Sequence, residues 1–143
     1  MRQMAGKIAL SMLGTPYRWG GDDPMGGFDC SGFVIELLMS VGLVPERFDT
    51  TADGLWKMYR DREVDQPRDG CLVFYGRDSY ASHVEYCING LLSIGASGGS
   101  SRTRTLLDAI DQNAYIKIRP INHRKDIVGY ADPFLPKPRP DGD

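Results

Sequence analysis

Cysteine and histidine are scarce in this chain: three cysteines, Cys30, Cys71 and Cys87, and two histidines, His83 and His123. Cys30 stands in "GTPYRWGGDDPMGGFDCSGFV", where a glycine-rich loop meets an apolar run. If that run is a helix, Cys30 lies at its N-terminus, where unpaired N–H groups and the positive end of the dipole favour an anion. A thiolate there is suited to attack a carbonyl carbon, and the same backbone amides can hold a developing oxyanion. Gly26, Gly27 and Gly32 would let backbone and substrate approach closely. The competing reading is a buried small hydrophobe, a common fate of free cysteine. Polar Asp29 and Ser31 on either side of Cys30 favour a cleft over a core.

A thiolate nucleophile needs a general base that later protonates the leaving amine. His83 opens the run "HVEYCI", which as a strand puts Val84, Tyr86 and Ile88 on one face and His83, Glu85 and Cys87 on the other. A histidine at a strand mouth can face a cleft while its neighbours anchor a sheet, so His83 is the expected base. His123, in the polar connection "INHRKD", reads as solvated surface. A metal reading sets His83, Glu85 and Cys87 with Cys30 around zinc, but three ligands at spacing two along one strand rarely converge on a tetrahedron. No metal is expected. Cys71 and Cys87 lie inside apolar runs and read as structural.

These residues need elements to carry them. Met4, Ile8, Leu10 and Met12 among Arg2, Gln3 and Lys7 suit a first helix, ended by Gly14, Thr15 and Pro16. "SGFVIELLMSVGLV" reads as a buried helix from Ser31 to about Gly42. "TTADGLWKMYRD" is a further helix with Thr50 or Thr51 as N-cap and Leu55, Met58 and Tyr59 inward. Trp56 and Tyr59 are expected to pack rather than bind. The period then changes: "GCLVFYG" and "SHVEYCING" are β-type runs, and Asn-Gly before "LLSIGA" signals a hairpin. "RTRTLLDAIDQNA" reads as a helix, "YIKIRPI" and "DIVGYADP" as strands. Helices first and a strand meander after them give an α+β order. Residues 1–135 form the expected domain, and 136–143 belong to a proline-rich tail, extended or disordered.

Bulk composition narrows the field. A chain of 143 residues, 41% hydrophobic and 25% charged, suits one globular domain. A net charge of −2 gives no reason to expect nucleic acid as partner. No apolar run approaches the roughly 20 residues of a membrane span. Ile8–Leu13 falls short of the roughly 7–15 residues of a signal h-region, so no export signal is read. An odd cysteine count without close CxxC spacing argues against a disulfide framework or a structural zinc site.

"PYRWGG", "FDCSGFV" and "SHVEYCING", in this order, resemble the NlpC/P60 family of papain-like cysteine peptidases over about Met1–Ser100. The resemblance implies an α+β domain in which a cysteine at a helix start packs against an antiparallel sheet carrying the histidine. It implies a peptidase of peptidoglycan stem peptides, cutting the bond between D-γ-glutamate and a diamino acid, with Cys30 as nucleophile, His83 as base and no cofactor. It implies also that the Tyr17 hydroxyl lies near the thiol, and that Asp29 and Ser31 hold the amino end of the stem peptide. Packing of Tyr17 and Trp19 in the loop, and N-capping by Asp29, are the alternatives. Ser82 reads as a loop residue, and Arg102 and Arg104 as part of a solvated loop rather than a cleft rim.

The chain departs from the family at one point. The third polar residue, usually on the strand after the base, falls on Gly95 in "SIGASGG". Ser93, Ser97, a backbone carbonyl or a residue from the later segment could take its part, or a dyad could suffice. With no export signal, a phage-encoded wall hydrolase carried by a virion, a lysis system or a larger assembly fits as well as a secreted bacterial enzyme. The other classes are a binding or structural module, such as a phage tail component with weakened chemistry, and a thiol hydrolase of another amide.

Overall fold

The computed structural model describes residues 1–23 and 27–138. Helix α1 (Arg2–Ser11) buries Ala5 and Ala9, one turn apart, and leaves Met4 and Leu10 exposed. Those small residues bring it close against α2 (Cys30–Ser40), which is apolar on most faces and buries Phe33, Val34, Leu37 and Leu38. Helix α3 (Ala52–Tyr59) starts at Thr51, whose side chain accepts from the Gly54 N–H, and buries Leu55, Trp56 and Tyr59. Its Asp53 is also buried. The Ala81 N–H donates to it at 3.0 Å and, with Lys57 at 3.0 Å, holds its carboxyl below the usual range. Between α1 and α2, β1 (Asp22–Asp23) pairs with β2 (Gly27–Phe28).

The remaining strands form one antiparallel sheet. In chain order they are β3 (Glu63–Val64), β4 (Leu72–Arg77), β5 (Tyr80–Cys87), β6 (Leu92–Ser97), β7 (Tyr115–Pro120) and β8 (Ile127–Ala131). Their spatial order is β3-β8-β4-β5-β6-β7. Helix α4 (Leu106–Gln112) joins β6 to β7 and is closed at its start by a reciprocal Thr105–Asp108 capping box. Leu72, Phe74, Val84, Tyr86, Ile94 and Ile116 meet α2 and α3 in the main core. On the other sheet face, Cys71, Val73, Tyr75 and Cys87 pack with Ile121 in a smaller cluster. Burial raises both cysteine thiols, which fits a structural role for them.

The α+β order read from the sequence is therefore the observed one, with three local differences. β5 starts at Tyr80 rather than Ser82, because Asp78 and Ser79 form a two-residue turn with φ of 53° and 67°, a left-handed conformation reached here without glycine. Ser82 is thus a strand residue, its hydroxyl 3.4 Å from the Tyr75 carbonyl. The short β3 carried no readable pattern, and β8 inserts between β3 and β4 instead of extending the meander. Past β8, the buried Asp132 accepts from Arg2 at 2.8 Å and Arg68 at 2.9 Å, and Arg2 lies over the Phe134 ring. The proline-rich tail continues into residues 139–143, which lie outside the described part. Among the described residues no helix is long and apolar enough to cross a membrane.

Candidate active site

Asp29 sets the start of α2. It stands in extended backbone at the N-cap, and its Oδ1 accepts the Gly32 N–H at 2.7 Å and the Ser31 hydroxyl at 3.4 Å. Its Oδ2 accepts the Gly20 N–H at 3.2 Å, tying the preceding loop to the helix. Burial raises the Asp29 carboxyl, opposed by these bonds. Gly32 answers a local need: a Cβ there would lie 2.2 Å from the Gly21 carbonyl oxygen. The close approach expected at Gly32 is thus made by the chain's own loop; Gly26 lies outside the described residues. Cys30, the first helical residue, is held half-buried at the positive end of α2.

The sheet brings His83 to it. The Cys30 thiol and the His83 imidazole line one cleft, near enough for the cysteine to favour a charge on the histidine. His83 Nε2 lies 2.7 Å from Glu85 Oε2, so Nδ1 is the nitrogen left for the thiol. Burial opposes a charge on His83, but Cys30 and the Glu85 carboxylate outweigh this and lift it to about 9. Burial likewise works against the Glu85 carboxylate, yet His83 and Ser93 hold its pKa well below the ordinary value. Glu85 is 1% exposed. The Ser93 hydroxyl donates to its Oε1 at 2.6 Å, and His123 Nε2 lies 3.2 Å from Oε2.

His123 therefore belongs to this cluster rather than to solvated surface, which corrects the reading from its polar neighbours. After β7 the chain turns back through Ile121–His123, anchored by Ile121 in the smaller core, and carries the imidazole beneath the sheet. The Tyr75 ring lies between the two histidines, with centroids 5.6 Å from His83 and 5.5 Å from His123.

Cys30 and His83 open on a cleft of about 700 Å³. Tyr17, Asp29, Cys30, Ser31 and His83 all line it, so the expected site residues are brought together. Tyr17 is 5% exposed; burial, followed by the nearby Cys30 and Asp29 charges, raises its hydroxyl. Trp19 also lines the cleft and is 52% exposed, so it is not packed away in the loop. Asp49 and Arg124, which the sequence did not single out, line the cleft as well. Arg102 and Arg104 do not; Arg104 bonds back to the Ser101 carbonyl in its own loop.

A cysteine at a helix N-terminus, paired with a histidine on an antiparallel sheet, is the papain-like α+β arrangement. Residues 14–120 match the NlpC/P60 family, and the chain belongs to it. It is 40% identical over 92 residues to the murein DD-endopeptidase MepH of Escherichia coli K12, a match covering 57% of this chain and 32% of MepH. It is 39% identical over 70 residues to the bifunctional muramidase/DL-endopeptidase CwlT of Bacillus subtilis, covering 49% and 20%. The chain thus matches a third or less of the length of either relative. The solved NlpC/p60 domain of peptidoglycan hydrolase SagA has the same fold, with a TM-score of 0.68 at 22% identity over 92% of this chain and 98% of that domain.

Proposed function

We propose that this domain is a cysteine peptidase of peptidoglycan stem peptides, acting through an acyl-enzyme. The observation that carries this is Cys30 at the N-terminus of α2 lining one cleft with His83, whose other side is held by Glu85. The names of the two relatives, both endopeptidases and one a murein endopeptidase, support the substrate class.

In the proposed reaction the thiol proton passes to His83 Nδ1 and Sγ adds to the scissile carbonyl carbon. The positive end of α2 favours the oxyanion. The C–N bond then breaks, His83 returns its proton to the leaving amine, and a thioester remains on Cys30. Water, deprotonated by His83, hydrolyses the thioester and frees the thiolate. Tyr17 offers a protonated hydroxyl in the cleft that Cys30 lines. Asp29 and Asp49 make one part of the cleft acidic, which suits the free ammonium end of a stem peptide. That recognition favours the bond between D-γ-glutamate and the diamino acid.

The test is digestion of purified peptidoglycan by the native chain and by Cys30→Ala, with the fragments identified by mass spectrometry. The native chain is expected to release fragments ending in D-γ-glutamate and the variant none. Cleavage at the cross-link instead would replace the bond assignment. No release by either protein would overturn the peptidase reading.

A further inference from the structure

We infer that Glu85 is the positioning residue of this site, orienting His83 from its own strand by occupying the space that Gly95 leaves open on the next one. The role rests on the peptidase reading; the contacts do not. Glu85 lies two residues past His83, on the same face of β5, and reaches along the strand to Nε2 at 2.7 Å. The carboxylate is fixed from two further sides, by the Ser93 hydroxyl at 2.6 Å and by His123 at 3.2 Å. A carboxylate buried this completely is tolerated only when so paired.

Gly95 makes the arrangement possible. The register Tyr86↔Ile94 and Cys87↔Ser93 continues to set Gly95 opposite Glu85. A Cβ on Gly95 would lie 2.5 Å from Glu85 Cγ and 3.1 Å from both its Cβ and Cδ. A side chain on β6 and the Glu85 side chain therefore exclude one another. The orienting group has moved one strand over, and the glycine follows from that.

The chemistry is that of an orienting acceptor. Glu85 Oε2 takes the hydrogen bond from Nε2–H, which fixes the tautomer whose Nδ1 lone pair faces Cys30. When Nδ1 takes the thiol proton, the carboxylate stabilises the imidazolium and does not itself become protonated. The groups facing His83 are Cys30 from α2, Glu85 from β5, the Tyr75 ring from β4, and Asp126 after the return turn. His123 and Arg124 act on Glu85 and Tyr75, one step removed.

Two measurements test this. In the native chain with 15N-labelled histidine, read at a pH above the His83 titration near 9, neutral His83 is expected to carry its proton on Nε2; a proton on Nδ1 overturns the inference. In Glu85→Gln, Cys30 alkylation by iodoacetamide at pH 7, read by mass spectrometry of the Cys30 peptide, is expected to slow about tenfold or more. Stem-peptide hydrolysis is expected to lose about 100-fold in kcat with KM within about twofold. A folded Glu85→Gln that alkylates at the native rate also overturns the inference. If Glu85→Gln does not fold, the tautomer in the native chain decides. A native chain with the Nε2–H tautomer but no activity on peptidoglycan would sink the substrate reading and leave the role of Glu85 standing. Hydrolysis with the opposite tautomer would do the reverse.

Discussion

Glu85 and Gly95 sit opposite each other on β5 and β6, and a Cβ on Gly95 would come within 2.5 Å of Glu85 Cγ. Neither side chain can be understood alone. Glu85 needs an empty place on the neighbouring strand to lie along the sheet toward His83. Gly95, unfavourable within a strand on conformational grounds, is the residue that provides it.

This relationship predicts strong coupling between the two positions. Gly95→Ala in the native background overpacks a buried site and is expected to cost about 1–3 kcal/mol in urea unfolding. In a Glu85→Ala background the same change should cost clearly less, because the Cγ and Cδ contacts are gone and only the 3.1 Å approach to Cβ remains. The interaction energy from the four proteins is therefore expected to reach about 1 kcal/mol or more. Additivity within about 0.5 kcal/mol would show that the two side chains do not compete for the space.

Much of this site was legible in the sequence, and what was not has a physical cause. Asp29 before an apolar run marked the start of α2, because capping is local chemistry. Period-two alternation in "HVEYCI" put His83 and Glu85 on one face. Alternation says nothing of where a carboxylate points along that face, so Glu85 was grouped with His83 only as a metal ligand. The blank at Gly95 read as a loss, since the compensating side chain is ten residues away in sequence and adjacent only through strand pairing. His123 read as solvated because its neighbours are polar; its burial depends on the return of the chain after β7. The placement of β8 between β3 and β4 is equally non-local. The turn at Asp78–Ser79 carries only half a signal: Asp suits its first position, but Ser79, at φ 67°, stands where such turns favour glycine.

The titration of His83 sets a pH window. Its folded value, raised to about 9, stands above the ordinary 6.5. A group raised on folding stabilises the fold fully below its unfolded value and loses that contribution as pH rises through the folded one. Native stability should therefore decline between about pH 6.5 and 9 relative to His83→Gln, which lacks the group. As pH rises through about 9, kcat/KM should fall on its alkaline limb, as the imidazolium that protonates the leaving amine is lost. Urea unfolding and initial rates at half-unit pH intervals check both. A stability difference between native and His83→Gln that stays constant to pH 10 would mean that His83 is not held protonated by its partners.

Tyr17 offers a separate test of how the cleft is built. Its ring is backed by Gly99, where a Cβ would lie 2.2–2.6 Å from the ring carbons Cδ1, Cγ and Cδ2. Its hydroxyl, raised by burial and by the charges of Cys30 and Asp29, remains a donor at neutral pH. Tyr17→Phe keeps the ring and removes only that donor. It should leave the melting temperature unchanged and lower kcat by about 10- to 100-fold, the scale of one lost hydrogen bond to a developing charge. Gly99→Ala keeps the hydroxyl but displaces the ring, so it should lower activity comparably and also reduce stability. Placed in a Tyr17→Ala background, Gly99→Ala should have little further effect, because the ring it would strike is absent. If Tyr17→Phe retains full kcat while Gly99→Ala does not, the ring shapes the cleft and the hydroxyl takes no part in the reaction.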